Sequence, residues 1–127
     1  MRKLLTLSIS LAIVISFAVA ASGVEWTPDA KDIGKLESIL RLSKAELITP
    51  GTKPPAPLAK YARFYAGITV SGHRRIRGAL LLATPPGMRV VPEKDLPRIM
   101  DGGCGIIYLL YDPETARVIW VRCNGLA

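Results

Sequence analysis

Two cysteines, Cys104 and Cys123, bracket a stretch whose ends can be tied together, and that tie constrains the fold more than any other feature of the chain. Between them lie two runs rich in β-branched and aromatic residues, 105–111 and 116–122, joined by Asp112-Pro113-Glu114-Thr115. Branched and aromatic side chains suit the pleated surface of a strand, and a proline beside an acid suits a turn. The segment therefore predicts a β-hairpin. If Asp112 faces Thr115 across the turn, Cys104 stands directly opposite Cys123, whereas a loop longer by one residue sends their side chains to opposite faces. The cysteines accordingly select the shorter register and a Cys104–Cys123 disulfide across the hairpin.

A disulfide persists in an oxidising compartment, and the N-terminus offers the route to one. Arg2 and Lys3 precede an apolar run from Leu4 to Val19 that ends in Ala18-Val19-Ala20. A basic start, an apolar run and small residues at a cleavage site form the layout of a secretory signal peptide. Residues 1–20 are read as that peptide, cleaved after Ala20, and the mature chain as periplasmic or extracellular. The competing reading is an uncleaved anchor over residues 4–21, because about 20 apolar residues span a bilayer. Thr6, Ser8, Ser10 and Ser16 dilute the run, the chain turns polar at Ser22-Gly23, and no basic stop-transfer cluster follows, all of which favours cleavage.

Removing 20 of 127 residues leaves 107, enough for one small domain over 21–127 and too few for a second. Loss of Arg2 and Lys3 lowers the basic count from 17 to 15 against 10 acids, a mature net charge of +5. The charge is unevenly spread. No acid occurs between Glu46 and Glu93, while Lys53, Lys60, Arg63, Arg74, Arg75, Arg77 and Arg89 all fall there.

Thr27-Pro28-Asp29 predicts a helix over about 28–43, with Thr27 as the cap, proline in the first turn and an acid near the helix N-terminus. Ile33, Leu36, Ile39 and Leu40 recur at helical spacing and form its apolar stripe. Four prolines in 49–57 exclude both a helix and a central strand, so that segment is an extended connector. A sheet is expected over 60–123. Residues 61–70 alternate, with Ala62, Phe64, Ala66 and Ile68 on one face and Tyr61, Arg63, Tyr65 and Gly67 on the other. Matching apolar to apolar in the next run requires a three-residue turn, Ser71-Gly72-His73, which places Arg75 and Arg77 beside Arg63. Met88 to Val91 reads as a short edge strand. The expected architecture is α+β: one N-terminal amphipathic helix on an antiparallel meander of four to five strands, with the last hairpin central or beneath the helix.

The catalytic signatures are sparse. His73 is the sole histidine, the sequence around Ser71 lacks the leading glycine of a hydrolase elbow, and no glycine-rich phosphate loop opens a helix. No metal or cofactor is expected. Glu93, Asp95 and Asp101 are the one carboxylate grouping that could serve a small cell-envelope hydrolase. The constellation favoured instead is a basic and aromatic sheet face, Arg63, Arg75 and Arg77 with Tyr61 and Tyr65, suited to holding carboxylates or phosphates. The leading expectation is a small exported, non-catalytic binding or accessory domain. Its partner would be an anionic envelope polymer, a lipid headgroup or an acidic protein patch, ahead of nucleic acid.

Overall fold

The computed structural model describes residues 26–40 and 56–124. The expected leader, the end of the expected helix at 41–43 and most of the proline-rich connector lie outside the described residues. Helix α1 spans Ala30–Ile39, and five strands follow: β1 Ala62–Val70, β2 His73–Leu81, β3 Gly87–Val90, β4 Ile106–Asp112 and β5 Arg117–Cys123. They form one sheet in the order β3-β1-β2-β4-β5. Among the described residues, no helix is long and apolar enough to cross a membrane.

Among the described residues the α+β class with one helix is as expected, but the start of the helix is not. Asp29, not Thr27, is the N-cap, its carboxylate accepting the Asp32 N–H at 2.8 Å. That backbone hydrogen bond holds the Asp29 carboxyl below its ordinary range. Aspartate caps as well as threonine does and adds a negative charge at the positive helix end. Trp26 explains why the helix cannot begin earlier. Its indole Nε1 donates to the carbonyl of Ile68 at 2.7 Å, tying the preceding backbone to β1. Ile33, Leu36 and Leu40 are buried as the stripe requires, while Ile39 sits 41% exposed at the margin.

The sheet is mixed rather than an antiparallel meander. β1 pairs antiparallel with β2, β2 with β4 and β4 with β5, but β3 runs parallel to β1. The cause is connectivity. β2 ends beside the start of β1, because Leu81 pairs with Ala62. A chain that steps over β1 within residues 82–86 and pairs at once, Gly87 against Ala62, must then run in the direction of β1. Residues 91–105 return the chain to the other end of the sheet, where Ile106 pairs with Leu81 to begin β4.

Two turns differ from expectation, each for a local reason. The β1–β2 turn holds two residues, not three: Val70 faces His73, with Ser71 at φ 50° and Gly72 at φ 78°. Two successive positive φ values make the primed turn whose twist matches a β-hairpin, and Ser-Gly supplies the glycine it favours. In the last hairpin the loop is Pro113 to Ala116, with Asp112 opposite Arg117. That loop alone would set Cys123 opposite Ile106, and a bulge in β5 at Ile119 moves it one position further, so Cys123 faces Ile107 rather than Cys104. The Cys104–Cys123 disulfide forms nonetheless, from a 3-10 turn at Gly103–Gly105 just ahead of β4, with the two Cα atoms 4.5 Å apart. That hairpin is not central, β5 being an edge strand, but it does lie beneath the helix, where Ile107, Leu109, Tyr111 and Val121 pack with Ile33, Leu36 and Leu40.

Asp112 organises the loop. It accepts from the Glu114 N–H at 2.9 Å, the Thr115 N–H at 3.4 Å and the Thr115 hydroxyl at 2.7 Å, and meets Arg75 Nη1 at 3.2 Å. The Thr115 hydroxyl leads in lowering the Asp112 carboxyl pKa, aided by the two amides and Arg75 against the opposing effect of burial. A carboxylate with a depressed native pKa adds stability that is complete above its unfolded value, about 3.9, and lost as pH falls through the native value. Asp112→Asn should therefore flatten part of the acid limb of a stability-versus-pH curve, and at pH 7 cost about 1–2 kcal/mol in chemical denaturation. An unchanged acid limb would remove Asp112 from that role.

The core lies between α1 and one sheet face. Ile33, Leu36 and Leu40 pack on Tyr61, Tyr65, Ile76, Leu80, Ile107, Leu109, Tyr111 and Val121. A smaller cluster on the opposite face gathers Ala62, Ala66, Ala79 and Leu81 under Leu96 of the return segment.

Candidate functional site

The two-residue turn divides the expected basic face. With Arg63 opposite Leu80 and Tyr65 opposite Gly78, the odd-numbered residues of β1 share a face with the even-numbered residues of β2. Tyr61, Arg63 and Tyr65 accordingly point toward the helix, and Arg75 and Arg77 toward the opposite face. Tyr61 and Tyr65 are fully buried core residues, and burial pushes both hydroxyl pKa values up, with Glu37 adding to the effect at Tyr65. Tyr61 donates to the carbonyl of Cys104 at 2.9 Å, and Tyr65 to Glu37 Oε2 at 3.1 Å. Arg63 Nε lies 2.5 Å from the same Glu37 oxygen, an ion-pair contact in which Nε is not aligned for a hydrogen bond. These three residues bind the helix to the sheet and are not available as a surface.

Topology gives several other arginines intramolecular partners as well. Arg75 meets Asp112, and Arg77 Nη1 meets Glu93 Oε1 at 3.1 Å. Arg74 stacks over Trp26, Arg89 over Phe64 and Arg122 over Trp120, with guanidinium carbons 5.3, 5.2 and 4.4 Å from the ring centres. Such stacking covers the aromatic faces while leaving the charge able to meet an anion.

What remains is a groove of about 270 Å³ on the sheet face opposite the helix. Its floor is the β2 stretch Arg77-Gly78-Ala79, with Ala79 buried in the cluster under Leu96. Tyr108 of β4 with Trp120 and Arg122 of β5 form one wall, and Glu93, Leu96, Pro97 and Arg98 of the return segment form the other. That second wall is pinned. The Tyr108 hydroxyl accepts the Ile99 N–H at 2.9 Å, and Asn124 Nδ2 donates to the carbonyls of Ile99 and Asp101, the latter at 3.0 Å. Arg98 and Arg122 have no carboxylate partner among the described residues.

Arg77 is thus the one residue of the expected basic constellation that lines this groove; Arg75 lies further along the same face. Tyr108, Trp120, Arg98 and Arg122 were not singled out from the sequence. The bulge at Ile119 sets Trp120 and Arg122 on the face that carries Tyr108, and no residue pattern announces a bulge. Of the carboxylates considered for hydrolysis, Glu93 is tied to Arg77, while Asp95 and Asp101 are exposed on the return segment. Among the described residues no three His, Cys, Asp or Glu side chains converge to hold a metal ion. His73 lies 3.4 Å from Glu114, joining two exposed hairpin tips. The chain matches no family model, no curated protein and no solved structure.

Proposed function

We propose that the chain is a small exported, non-catalytic binding domain that captures an anionic partner through the open face of its sheet, centred on the groove around Arg77, Arg98 and Arg122. The observation that carries the reading is one concave site lined by three arginines, two of them without a carboxylate partner among the described residues, with tryptophan and tyrosine in its walls. Binding sites are concave and mostly apolar, with a few charged groups that set orientation, and guanidinium is the cation best suited to carboxylate or phosphate. The disulfide fits an oxidising compartment, in keeping with residues 1–20 acting as a cleaved leader. The rival, an envelope hydrolase, asks more of Glu93, whose carboxylate already serves Arg77.

Reversing charge at Arg98 and Arg122 together is expected to weaken capture of an anionic polymer such as poly-glutamate by at least about tenfold at low salt. The same reversal at Lys31 and Lys35 on the helix, which leaves the net charge equal, should change it little. Equal losses from both pairs would reduce the groove to bulk charge and overturn the proposal. Mass spectrometry of protein from its native cell is expected to find an N-terminus at Ala21; a chain still beginning at Met1 would replace the cleaved leader with an anchor over 4–21.

A further inference from the structure

We infer that the groove takes a carboxylate-bearing, hydroxylated ring, the chemistry of a sugar acid such as a uronate residue in a polysaccharide. This inference rests on the anion-binding reading above and narrows it by what each wall can offer. Arg98 and Arg122 can only donate hydrogen bonds, and their paired N–H groups match a carboxylate. Glu93 Oε1 is held by Arg77, but the carboxylate is 40% exposed and keeps acceptor capacity that Arg77 does not fill, so a ligand that brings donors as well as negative charge gains a contact there. Hydroxyl groups on a ring supply those donors. A phosphate chain brings acceptors alone and has nothing to donate to Glu93.

A peptide main chain is disfavoured by a separate observation. The groove floor is β2, which is paired on both sides, so the floor offers a main chain no free strand edge; of the strands lining the groove only β5, in one wall, has an unpaired side. Recognition there runs through side chains. Leu96 and Pro97 give one wall an apolar surface for the carbon face of a ring, and a volume of about 270 Å³ admits one ring rather than a large ligand. Pinning of the second wall by Tyr108 and Asn124 sets that opening before anything binds.

The test uses three defined probes, galacturonic acid trimer, the neutral galactose trimer and tripolyphosphate, titrated into the disulfide-bonded protein and followed by tryptophan fluorescence and calorimetry. The galacturonate trimer is expected to bind about tenfold or more tighter than the neutral trimer, and Arg98→Ala or Arg122→Ala to weaken it by about tenfold. Both arginines are exposed, so the variants should melt like the parent. Glu93→Gln frees Arg77 for either anion but leaves only a neutral acceptor for ring hydroxyls, so it is expected to strengthen tripolyphosphate more than the galacturonate trimer and to narrow the preference between them. If tripolyphosphate binds at Arg98 and Arg122 and the galacturonate trimer does not, the sugar-acid inference fails while the anion groove stands. If no probe binds, or binding ignores both arginine variants, the inference and the reading beneath it fail together.

Discussion

Gly67→Ala is expected to destabilise the domain by about 2–3 kcal/mol, lowering its melting temperature by on the order of 10 °C. A Cβ built at Gly67 lies 2.0 Å from the Trp26 carbonyl oxygen and 2.9 Å from its carbonyl carbon, distances no side-chain rotation relieves. Either the segment before α1 lifts away from β1, and with it the indole hydrogen bond to Ile68, or β1 shifts within its ladder to β2. The first is the cheaper response. The α1 stripe of Ile33, Leu36 and Leu40 then loses the fixed entry that seats it over the sheet. Because the obstacle is backbone, Trp26→Ala should not rescue Gly67→Ala, whereas a clash with the indole alone would be rescued. Thermal melts of both single variants and the double variant decide the matter; a Gly67→Ala protein within 0.5 kcal/mol of the parent would contradict the close approach.

Legibility from the sequence followed the range of the interactions involved. The helix, the five strands and the cysteine pairing rest on local pattern or pairwise chemistry, and each was visible in residues such as Ile33, Leu36, Tyr65, Val121, Cys104 and Cys123. What was not visible was which face each strand turns inward. β1 is buried on both sides, Tyr61 and Tyr65 under the helix and Ala62 and Ala66 under Leu96. Apolar alternation then gives no preference between registers, and the backbone demand of Ser71-Gly72 decides. A tyrosine body is as good a core filler as an isoleucine when its hydroxyl finds an acceptor, which Cys104 and Glu37 provide. With Tyr61 and Tyr65 turned inward and a two-residue turn after β1, Arg63 falls on the opposite face of the sheet from Arg75 and Arg77.

Charge told a similar story. The acid-free stretch from 47 to 92 looks cationic along the chain, yet folding brings Glu37, Glu93 and Asp112 to Arg63, Arg77 and Arg75. All three acids lie outside the stretch they neutralise, so linear charge density overstated the positive surface. The groove collects Arg98 and Arg122, both C-terminal to that stretch, and their meeting depends on the bulge at Ile119 and the return of 91–105, which are tertiary facts.

Removing the disulfide, as Cys104→Ser with Cys123→Ser, is expected to cost about 3 kcal/mol and to lower the denaturant midpoint accordingly. The bond closes a loop with a sequence separation of 19, and restricting that loop in the unfolded chain is its main contribution. Its native consequences are local and specific. Cys104 lies in the turn that Tyr61 grips through its carbonyl, and Cys123 is followed by Asn124, whose backbone N–H reaches Ile106 at 2.8 Å and whose side chain holds the groove wall. The bond therefore anchors the end of an edge strand that only β4 pairs. Loss of stability should be matched by loss of the groove's preset opening, so the serine variant, studied well below its new midpoint, should bind a groove ligand more weakly even while folded. Reduction of the parent protein with a dithiol should reproduce both effects, and reoxidation should reverse them. A reduced protein that unfolds at the same denaturant concentration as the oxidised one would show that the hairpin holds β5 without its covalent tie.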